Sequence, residues 1–345
     1  MRILPETTAL KLNEFEWRAE TLESQAARRD LASKGFHWQR LLDDGSSLYL
    51  RHGNCCEASL NDIAAAGVYR ALIYAEQASA RPIAKAKFMA IVNLTADSFS
   101  DGGTYQSSDS HLINHCLKLI DDGANILDLG AESTRPGAEG VDAHAQIDAL
   151  SNAMRVLAPL NIPLSIDTRS AIVANHCLDA GAVMINDVSA FGDADMAAVV
   201  ARHDAQVVIM HSRATSKTMQ QNCDYDYLIG EICDELAQRI NHGLSEGINP
   251  KRIIIDPGLG FAKDARQNFE IVHNLNAFRS LGFPVLAGPS RKSFLASVLP
   301  ERAAAQRDGA TAGAASICAY QGAEYLRLHC GGMNWDAVKI AQACS

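Results

Sequence analysis

The stretch ANILDLGAE, residues 124–132, holds one short apolar run that ends in side chains able to take part in chemistry. The same event occurs eight times between Phe88 and His329. The eight runs are FMAIVN, ANILDLG, PLSID, VMIND, QVVIMH, RIIID, PVLAGPSRK and EYLRLH. Apolar runs without alternation are typical of parallel strands buried on both faces. The sequence therefore predicts an α/β fold, a TIM (β/α)8 barrel, with its active site where the strands end.

The stretches between and after these runs are long enough for the crossover helices of such a barrel. Helices are predicted near residues 108–122, 142–157, 170–180, 193–203, 225–245, 265–281, 303–320 and 334–343. Longer connections follow the first, second and fifth runs, which marks those loops as candidate lids or substrate loops.

The chain is longer than a barrel requires. It has 345 residues, whereas such barrels use about 250. We therefore predict two domains, an N-terminal appendage over residues 1–85 and the barrel over residues 86–345. The appendage is predicted to be a small α/β unit, with a helical opening over 14–33, two strands within 36–52 joined by a turn at 43–46, and a helix over 59–80.

The charge, the apolar stretches and the cysteines of the chain argue against a nucleic-acid-binding surface, a membrane span and a disulfide-rich fold. The formal net charge of -9 argues against a surface built for nucleic acid, which needs clustered Lys and Arg. No apolar stretch approaches the roughly 18 residues that span a bilayer, and the N-terminus lacks the pattern of a secretion signal, so a cytoplasmic location is expected. The nine cysteines are scattered without C-x-x-C spacing, which is typical of reduced, packed thiols.

Two polar loops follow the first two runs. The first, NLTADSFSDGG, begins at Asn93 and is rich in hard oxygen donors, which suit a magnesium ion that keeps several waters and bridges phosphates. An ordinary turn stabilised by Asp and Ser side chains is the alternative. The second, ESTRPGA, contains Arg135, which can pair bidentately with a phosphate or a carboxylate. A surface arginine would look the same.

Polar residues also end the third, fourth and sixth runs, at Asp167, Asn186 and Asp256. In a barrel these positions converge on the mouth, so two carboxylates and an amide would line one pocket. Strand-end acids are also common helix caps. Three such groups after buried runs are nevertheless costly unless a ligand supplies donors. A flat heterocycle rich in N–H groups would satisfy them.

Basic residues complete the predicted mouth. Lys292 lies in GPSRKS beside Arg291, and the last run carries Arg327 and His329. Residues i and i+2 of a strand share a face, so Arg327 and His329 are expected to point together. These side chains would create a local positive field in an acidic protein, which suits a leaving anion.

The ordered motifs resemble those of the dihydropteroate synthase family, and the resemblance covers nearly all of residues 87–345. The motifs are NLTADSFSDGG, GANILDLGAESTRPGA, SIDT, INDV, MHS, TMQ, IIIDPGLGF, GPSRKS and RLH. The resemblance implies a pterin-binding TIM barrel that joins 4-aminobenzoate to a dihydropterin diphosphate and releases pyrophosphate, assisted by Mg²⁺. It also implies a homodimer and inhibition by sulfonamides.

The resemblance assigns roles to residues that match the motifs of the family. Those matching the pterin site are Asp167, Asn186, Met210, Asp256, Gly288 and Lys292. Those matching the diphosphate site are Asn93, Thr134, Arg327 and His329, with Asn93 also matching the metal position. Those matching the aminobenzoate site are Arg135, Pro136, Phe261 and Ser290. The catalytic set would be Asp167, Asp256, Lys292, Arg327 and His329.

One departure and two alternatives bear on this assignment. Cys330 stands where aspartate is common in the family, which could change the orientation of His329. A pterin-binding paralogue without turnover could use residues 1–85 to regulate a partner. A methyltetrahydrofolate-type pterin methyltransferase would share the strand-end acids, but it has no need for the motifs ESTRP, SRK and R-x-H.

Overall fold

The computed structural model describes residues 14–19, 36–41, 47–52, 71–72, 84–94, 105–132, 141–213, 223–225 and 228–344. The chain forms two compact units. One comprises Met1–Ile83, Asp224–Asp234 and Asn274–Gly282, and the other comprises Ala84–Cys223, Glu235–His273 and Phe283–Ser345.

The first unit contains a four-stranded sheet with the order β2-β3-β1-β4. Its strands are β1 Glu14–Ala19, β2 Phe36–Leu41, β3 Ser47–His52 and β4 Ala71–Leu72. Strand β3 is antiparallel to both β1 and β2, and β4 is antiparallel to β1.

Two sequence predictions for this unit are wrong where the structure describes it. The helical opening is wrong at Glu14–Ala19, and the helix over 59–80 is wrong at Ala71–Leu72, because both segments are strands. The segment EFEWRA alternates polar and apolar residues, a period of two that favours a strand. The two strands predicted within 36–52 are confirmed. The turn predicted at 43–46 lies outside the described residues.

The second unit is a barrel of eight parallel strands in the order β10-β9-β8-β7-β6-β5-β12-β11. The strands are β5 Lys87–Asn93, β6 Ile126–Gly130, β7 Leu164–Asp167, β8 Met184–Asp187, β9 Gln206–Met210, β10 Ile253–Asp256, β11 Leu286–Ala287 and β12 Tyr325–Leu328. A parallel bridge between Ile255 and Val285 joins the two ends of the sheet. It includes a hydrogen bond from Ile255 N to Pro284 O at 2.9 Å. The predicted TIM barrel is confirmed.

Helices alternate with these strands as predicted. They are α1 Tyr105–Asp121, α2 Ala143–Leu157, α3 Ala171–Asp179, α4 Met196–Arg202, α5 Leu228–Ser245, α6 Ala265–His273, α7 Asp308–Tyr320 and α8 Met333–Ala343. The helix predicted over 265–281 ends earlier, and a 3-10 helix, Leu275–Leu281, follows it. Asn274 stands at the break, and asparagine is a poor helix former. Among the described helices, none combines the length and the apolar character needed to cross a membrane.

An apolar layer fills the inside of the barrel. It consists of Met89, Ile126, Met184, Val208, Ile254, Leu286 and Tyr325, all buried. Because side chains on one face of a strand recur every second residue, the next inward positions lie two residues further along each strand. Those positions include Asp128, Asn186, Met210, Asp256, Gly288 and Arg327. The alternation therefore brings polar groups together directly above the apolar layer, at the carboxyl ends of the strands.

Candidate active site

Four polar residues from four strands form the lower part of the barrel mouth. Asp167 ends β7 and pairs in register with Asn186 of β8. Asp256 ends β10, and Asp128 lies within β6. All four are buried. Asn186 Nδ2 donates to Asp128 Oδ2 at 3.1 Å. Together with Arg327 these residues are the strand-end cluster.

Arg327 links two carboxylates of the strand-end cluster. Its Nε donates to Asp128 Oδ2 and its Nη2 donates to Asp167 Oδ2, each at 2.6 Å. Burial opposes the charge of Arg327, but Asp128 and Asp167 raise its pKa above the usual value. Because one guanidinium serves two carboxylates, the cluster keeps an excess of acceptors.

The unsatisfied acceptors of the cluster can be identified. Among the described residues, Asp167 Oδ1 and Asp128 Oδ1 are buried and have no hydrogen-bond partner. Burial raises the pKa of Asp167 to about 7, against the opposing effect of Arg327 and with a further increase from Asp128. Burial also raises the pKa of Asp256. Buried carboxylate oxygens of this kind are stabilised when a ligand donates N–H groups to them.

Lys292 stands beside these acids. Burial and Arg327 lower its pKa to about 8, while Asp256 and Asp167 oppose that decrease. Its Nζ lies 4.2 Å from the centroid of the Phe261 ring, within range of a cation–π interaction. Gly260 has a φ of +80°, and a Cβ there would lie 2.9 Å from Lys292 Cδ. The absence of a side chain at Gly260 thus lets the loop after β10 approach Lys292.

The turn that carries Lys292 is bound by the first residues of α7. Arg291 has a φ of +57°, which is unusual for a residue with a side chain. Its backbone N–H donates to Thr311 Oγ1 at 3.0 Å, and its guanidinium contacts Asp308 at 2.8 and 3.0 Å. Arg291 was expected to add to a positive field at the mouth, but the Asp308 carboxylate largely compensates its charge.

Thr311→Val is expected to weaken this turn. Thr311 is fully buried, so valine would leave the Arg291 N–H without its acceptor, at a cost of about 1–3 kcal/mol. Urea denaturation measures the change in the free energy of unfolding. Thr311→Ser keeps the hydroxyl oxygen and is the matched control. Equal stability of the valine and serine variants would show that the hydrogen bond does not matter.

His329 is oriented by the same turn. Ser290 Oγ lies 2.9 Å from His329 Nδ1 and accepts from His329 N at 3.2 Å. Arg327 instead contacts Asp128 and Asp167, so the two basic residues expected to point together engage different partners. Cys330 Sγ accepts from Asn334 Nδ2 at 3.1 Å.

The remaining predicted site residues fall into two groups. Met210 ends β9 and is buried, Gly288 follows β11, and Asn93 ends β5 with its side chain exposed. The residues outside the described part of the chain are Thr134, Arg135 and Pro136, together with 95–104 of the first loop.

A magnesium ion can be tested against the donors at the mouth. In the described ranges, no group of three His, Cys, Asp or Glu side chains could hold a metal. Mg²⁺ commonly keeps several waters and takes one or two protein oxygens in addition to substrate phosphates. The exposed carboxamide of Asn93 at the end of β5 fits this mode of binding.

Two residues that contribute to the site were not given a role by the sequence. Asp128 lies within a strand rather than at its end, and it contacts both Arg327 and Asn186 directly. Asp128 lies two positions after Ile126, whose side chain points into the barrel, so the period of two along a strand indicates that Asp128 points inward as well. Lys263 follows the motif IIIDPGLGF and is buried. A lysine is almost never fully buried unless it is paired, so its burial indicates specific partners. The sequence does not show which residues are buried, and the role of Lys263 is therefore visible only in the fold.

The sequence and the fold are similar to those of known proteins that bind pterins. The sequence matches the family described as pterin binding enzyme over residues 89–329. It is 39% identical to a dihydropteroate synthase of Synechocystis sp. over 258 residues, 74% of this chain and 87% of the relative. A Clostridium difficile dihydropteroate synthase solved with pteroic acid superposes with a TM-score of 0.71 and 35% identity, covering 76% of this chain and 97% of the other. The Xanthomonas albilineans dihydropteroate synthase with 4-aminobenzoic acid gives a TM-score of 0.70 and 35% identity, covering 76% and 94%.

Proposed function

The chain belongs to the pterin-binding enzyme family, among the dihydropteroate synthases, and we propose that it condenses 4-aminobenzoate with (7,8-dihydropterin-6-yl)methyl diphosphate. The products are 7,8-dihydropteroate and diphosphate. The protein is accordingly a transferase of folate biosynthesis.

The observation that carries this proposal is the buried, unpartnered Oδ1 of Asp167 beside the other acids of the strand-end cluster. A pterin ring presents a 2-amino group and an N3–H on one edge, which match the two oxygens of a carboxylate such as that of Asp256. Asn186 and Asp167 would bind the far edge of the ring. Met210 and Gly288 would form the wall of the same pocket, and Lys292 would contact a ring nitrogen or carbonyl.

The diphosphate would lie next to the strand-end cluster, at the ends of the neighbouring strands β12 and β5. Arg327 and His329 would donate hydrogen bonds to its oxygens, and Asn93 and Thr134 would add polar contacts. When bound, Mg²⁺ neutralises charge on the diphosphate oxygens, and Asn93 is the residue proposed to hold it.

The aminobenzoate would lie near Lys292. Phe261 offers an aromatic surface next to this lysine, and Ser290 lies in the turn that precedes it. Arg135 and Pro136 are proposed to complete the subsite from the second loop, with Arg135 pairing with the carboxylate of the substrate. Sulfonamides, which resemble 4-aminobenzoate in shape and polarity, are expected to compete there.

The mechanism follows from the weakness of the amine as a nucleophile. The C–O bond between the methylene and the diphosphate breaks with its electron pair on the diphosphate. The amine nitrogen forms the new C–N bond and loses a proton to solvent. Arg327 and His329 stabilise the departing anion, while Asp167, Asp256 and Lys292 hold the ring so that its electrons spread the positive charge of the methylene. Exclusion of water protects that centre from hydrolysis.

A pyrophosphate-release assay tests the proposal. The full chain is mixed with the dihydropterin diphosphate and Mg²⁺, with and without 4-aminobenzoate, and dihydropteroate is quantified by chromatography. We expect release that depends on the amine, with one dihydropteroate formed per pyrophosphate. Pterin binding without release would favour the paralogue that lacks turnover, and release that is independent of the amine would contradict the proposed reaction.

Three further features of the protein are proposed from the sequence. They are the division into an appendage over 1–85 and a barrel over 86–345, assembly as a homodimer, and a cytoplasmic location. Light scattering of the full chain tests the dimer, which predicts twice the mass of 37.1 kDa.

A further inference from the structure

Lys263 is a buried lysine outside the strand-end cluster, at the end of the loop that joins β10 to α6. Its Nζ lies 3.0 Å from His211 Nδ1, 3.1 Å from Gly258 O and 2.8 Å from Phe261 O. An ammonium group has three donors and no acceptor, so it matches three acceptors. Burial lowers the pKa of Lys263 to about 7, opposed by Asp256 and Glu235.

The contact with Glu235 fixes the tautomer of His211. Because the ionised carboxylate only accepts, Nε2 carries the hydrogen that is donated to Glu235 Oε2 at 3.0 Å, and Nδ1 of the neutral ring accepts from Lys263. Burial and Lys263 lower the pKa of His211 to about 4, so the ring is neutral. Arg213 donates to Glu235 Oε1 at 2.8 Å. Although burial opposes it, hydrogen bonds from His211 and Arg213 lower the pKa of Glu235 to about 2.

The loop that Lys263 binds has an unusual backbone. Gly258 and Ala262 have φ values of +72° and +50°, in a region that side chains rarely adopt. A Cβ on Gly258 would lie 2.0 Å from His211 O, which shows how closely the loop approaches the end of β9. Such a conformation persists only where surrounding contacts fix it. Two of the loop's carbonyls are fixed by Lys263.

We propose that Lys263 is a positioning residue, held by His211 and Glu235, that fixes the 257–262 loop so that Phe261 and Gly260 keep their contacts with Lys292. This inference rests on the proposed function, because Phe261 is taken to form the aminobenzoate subsite. Lys263 contacts the main chain of Phe261 and the ring of Phe261 contacts Lys292, so the lysine acts through the loop. Its loss should weaken the aminobenzoate subsite more than the pterin pocket.

Kinetics of Lys263→Met test this expectation. Misplacement of a binding group by about 1 Å can cost up to a hundredfold, and we expect KM for 4-aminobenzoate to rise about tenfold or more. KM for the pterin substrate should rise much less, because Lys263 acts on the strand-end cluster only through its electrostatic interaction with Asp256. Lys339→Met, at an exposed lysine on α8, is the control. Equal increases in both KM values would overturn the proposal.

His211 gives a second pair of variants in case Lys263→Met does not fold. His211→Asn can present an amide oxygen near the position of Nδ1, whereas His211→Leu removes the acceptor. The leucine variant should therefore show the selective rise in KM, and asparagine should restore most of the wild-type value. In a double-mutant cycle, Lys263→Met combined with His211→Leu should cost less than the sum of the two single changes. Additive effects would show that the two residues act independently and would overturn the proposal.

Hydrogen exchange separates this inference from the proposed reaction. Amides of the 257–263 segment should exchange faster in Lys263→Met and His211→Leu than in the wild type and in His211→Asn. This result does not depend on turnover. Unchanged exchange in both variants would overturn the positioning role even if the enzyme is active. Faster exchange in a protein without amine-dependent pyrophosphate release would leave the positioning role intact and reject the reaction alone.

Discussion

Asp256→Asn is expected to remove most of the activity without weakening the fold. The side chain is buried, and its Oδ1 accepts from Gly258 N at 2.7 Å, a bond that the oxygen of asparagine can retain. Asparagine cannot accept two N–H groups of a pterin edge as a charged carboxylate does. Loss of a buried charged hydrogen bond costs about 2–5 kcal/mol, so kcat/KM for the pterin substrate should fall about a hundredfold or more.

The direction in which Asp256→Asn changes the free energy of unfolding follows from the pKa of Asp256. Burial raises the folded-state pKa of Asp256, so the folded state binds this proton more tightly than the unfolded state. Stability therefore falls as pH rises from the usual value of about 4 for aspartate toward the raised pKa. The asparagine variant lacks this loss. At neutral pH it should unfold at the same urea concentration as the wild type or at a higher one.

The control for this variant is Asp204→Asn. Asp204 is an exposed aspartate that contacts Arg252 at 2.6 Å, so the same chemical change occurs away from the barrel mouth. Its kcat/KM should equal that of the wild type. If Asp256→Asn kept wild-type kcat/KM, the pterin would not lie on the strand-end cluster. A large loss of stability would instead give Asp256 a structural role.

The barrel could be predicted from the sequence because local patterns determine its elements. A short apolar run bounded by turn residues is typical of a buried strand, and the end of a run shows which side chains reach the mouth. Asp167, Asn186 and Asp256 were identified on this basis. The opening segment was predicted incorrectly because the charged residues Glu14 and Glu16 suggested a solvated helix, although Phe15 and Trp17 follow the period of a strand.

The pairing of charges within the site could not be predicted in the same way. Arg327 and Asp128 are 199 positions apart in sequence, and their contact depends on the register of β12, β5 and β6. Arg291 lies next to Lys292, yet Asp308 from α7 compensates it, which no local pattern indicates. Lys263 likewise meets His211 only because the loop folds back onto β9. Side-chain partners follow from packing rather than from periodicity.

Arg327→Met is expected to give the largest loss of stability. Methionine has a similar length but no charge, so the buried carboxylates of Asp128 and Asp167 would lose their common partner. Removing one member of a buried ion pair costs about 3–5 kcal/mol, because the other charge stays buried without compensation. Urea denaturation at pH 8 should show this decrease in the free energy of unfolding. Activity should also fall, because Arg327 is proposed to stabilise the departing diphosphate.

An exposed pair with the same separation provides the comparison. Arg252 contacts Asp204 at 2.6 Å, the same distance as between Arg327 and Asp128. The side chains of Arg252 and Asp204 are 41% and 57% exposed, whereas those of Arg327 and Asp128 are 19% and 0% exposed. Solvent screens the exposed pair, so Arg252→Met should change stability little.

The loss of stability in Arg327→Met should also become smaller as pH falls. Arg327 lowers the pKa of Asp167 against the effect of burial, so without it this pKa rises further and the folded state takes up a proton at higher pH. The difference from the wild type should therefore be smaller at pH 5.5 than at pH 8. Equal losses at both pH values would mean that methionine destabilises the barrel through packing rather than through uncompensated charge.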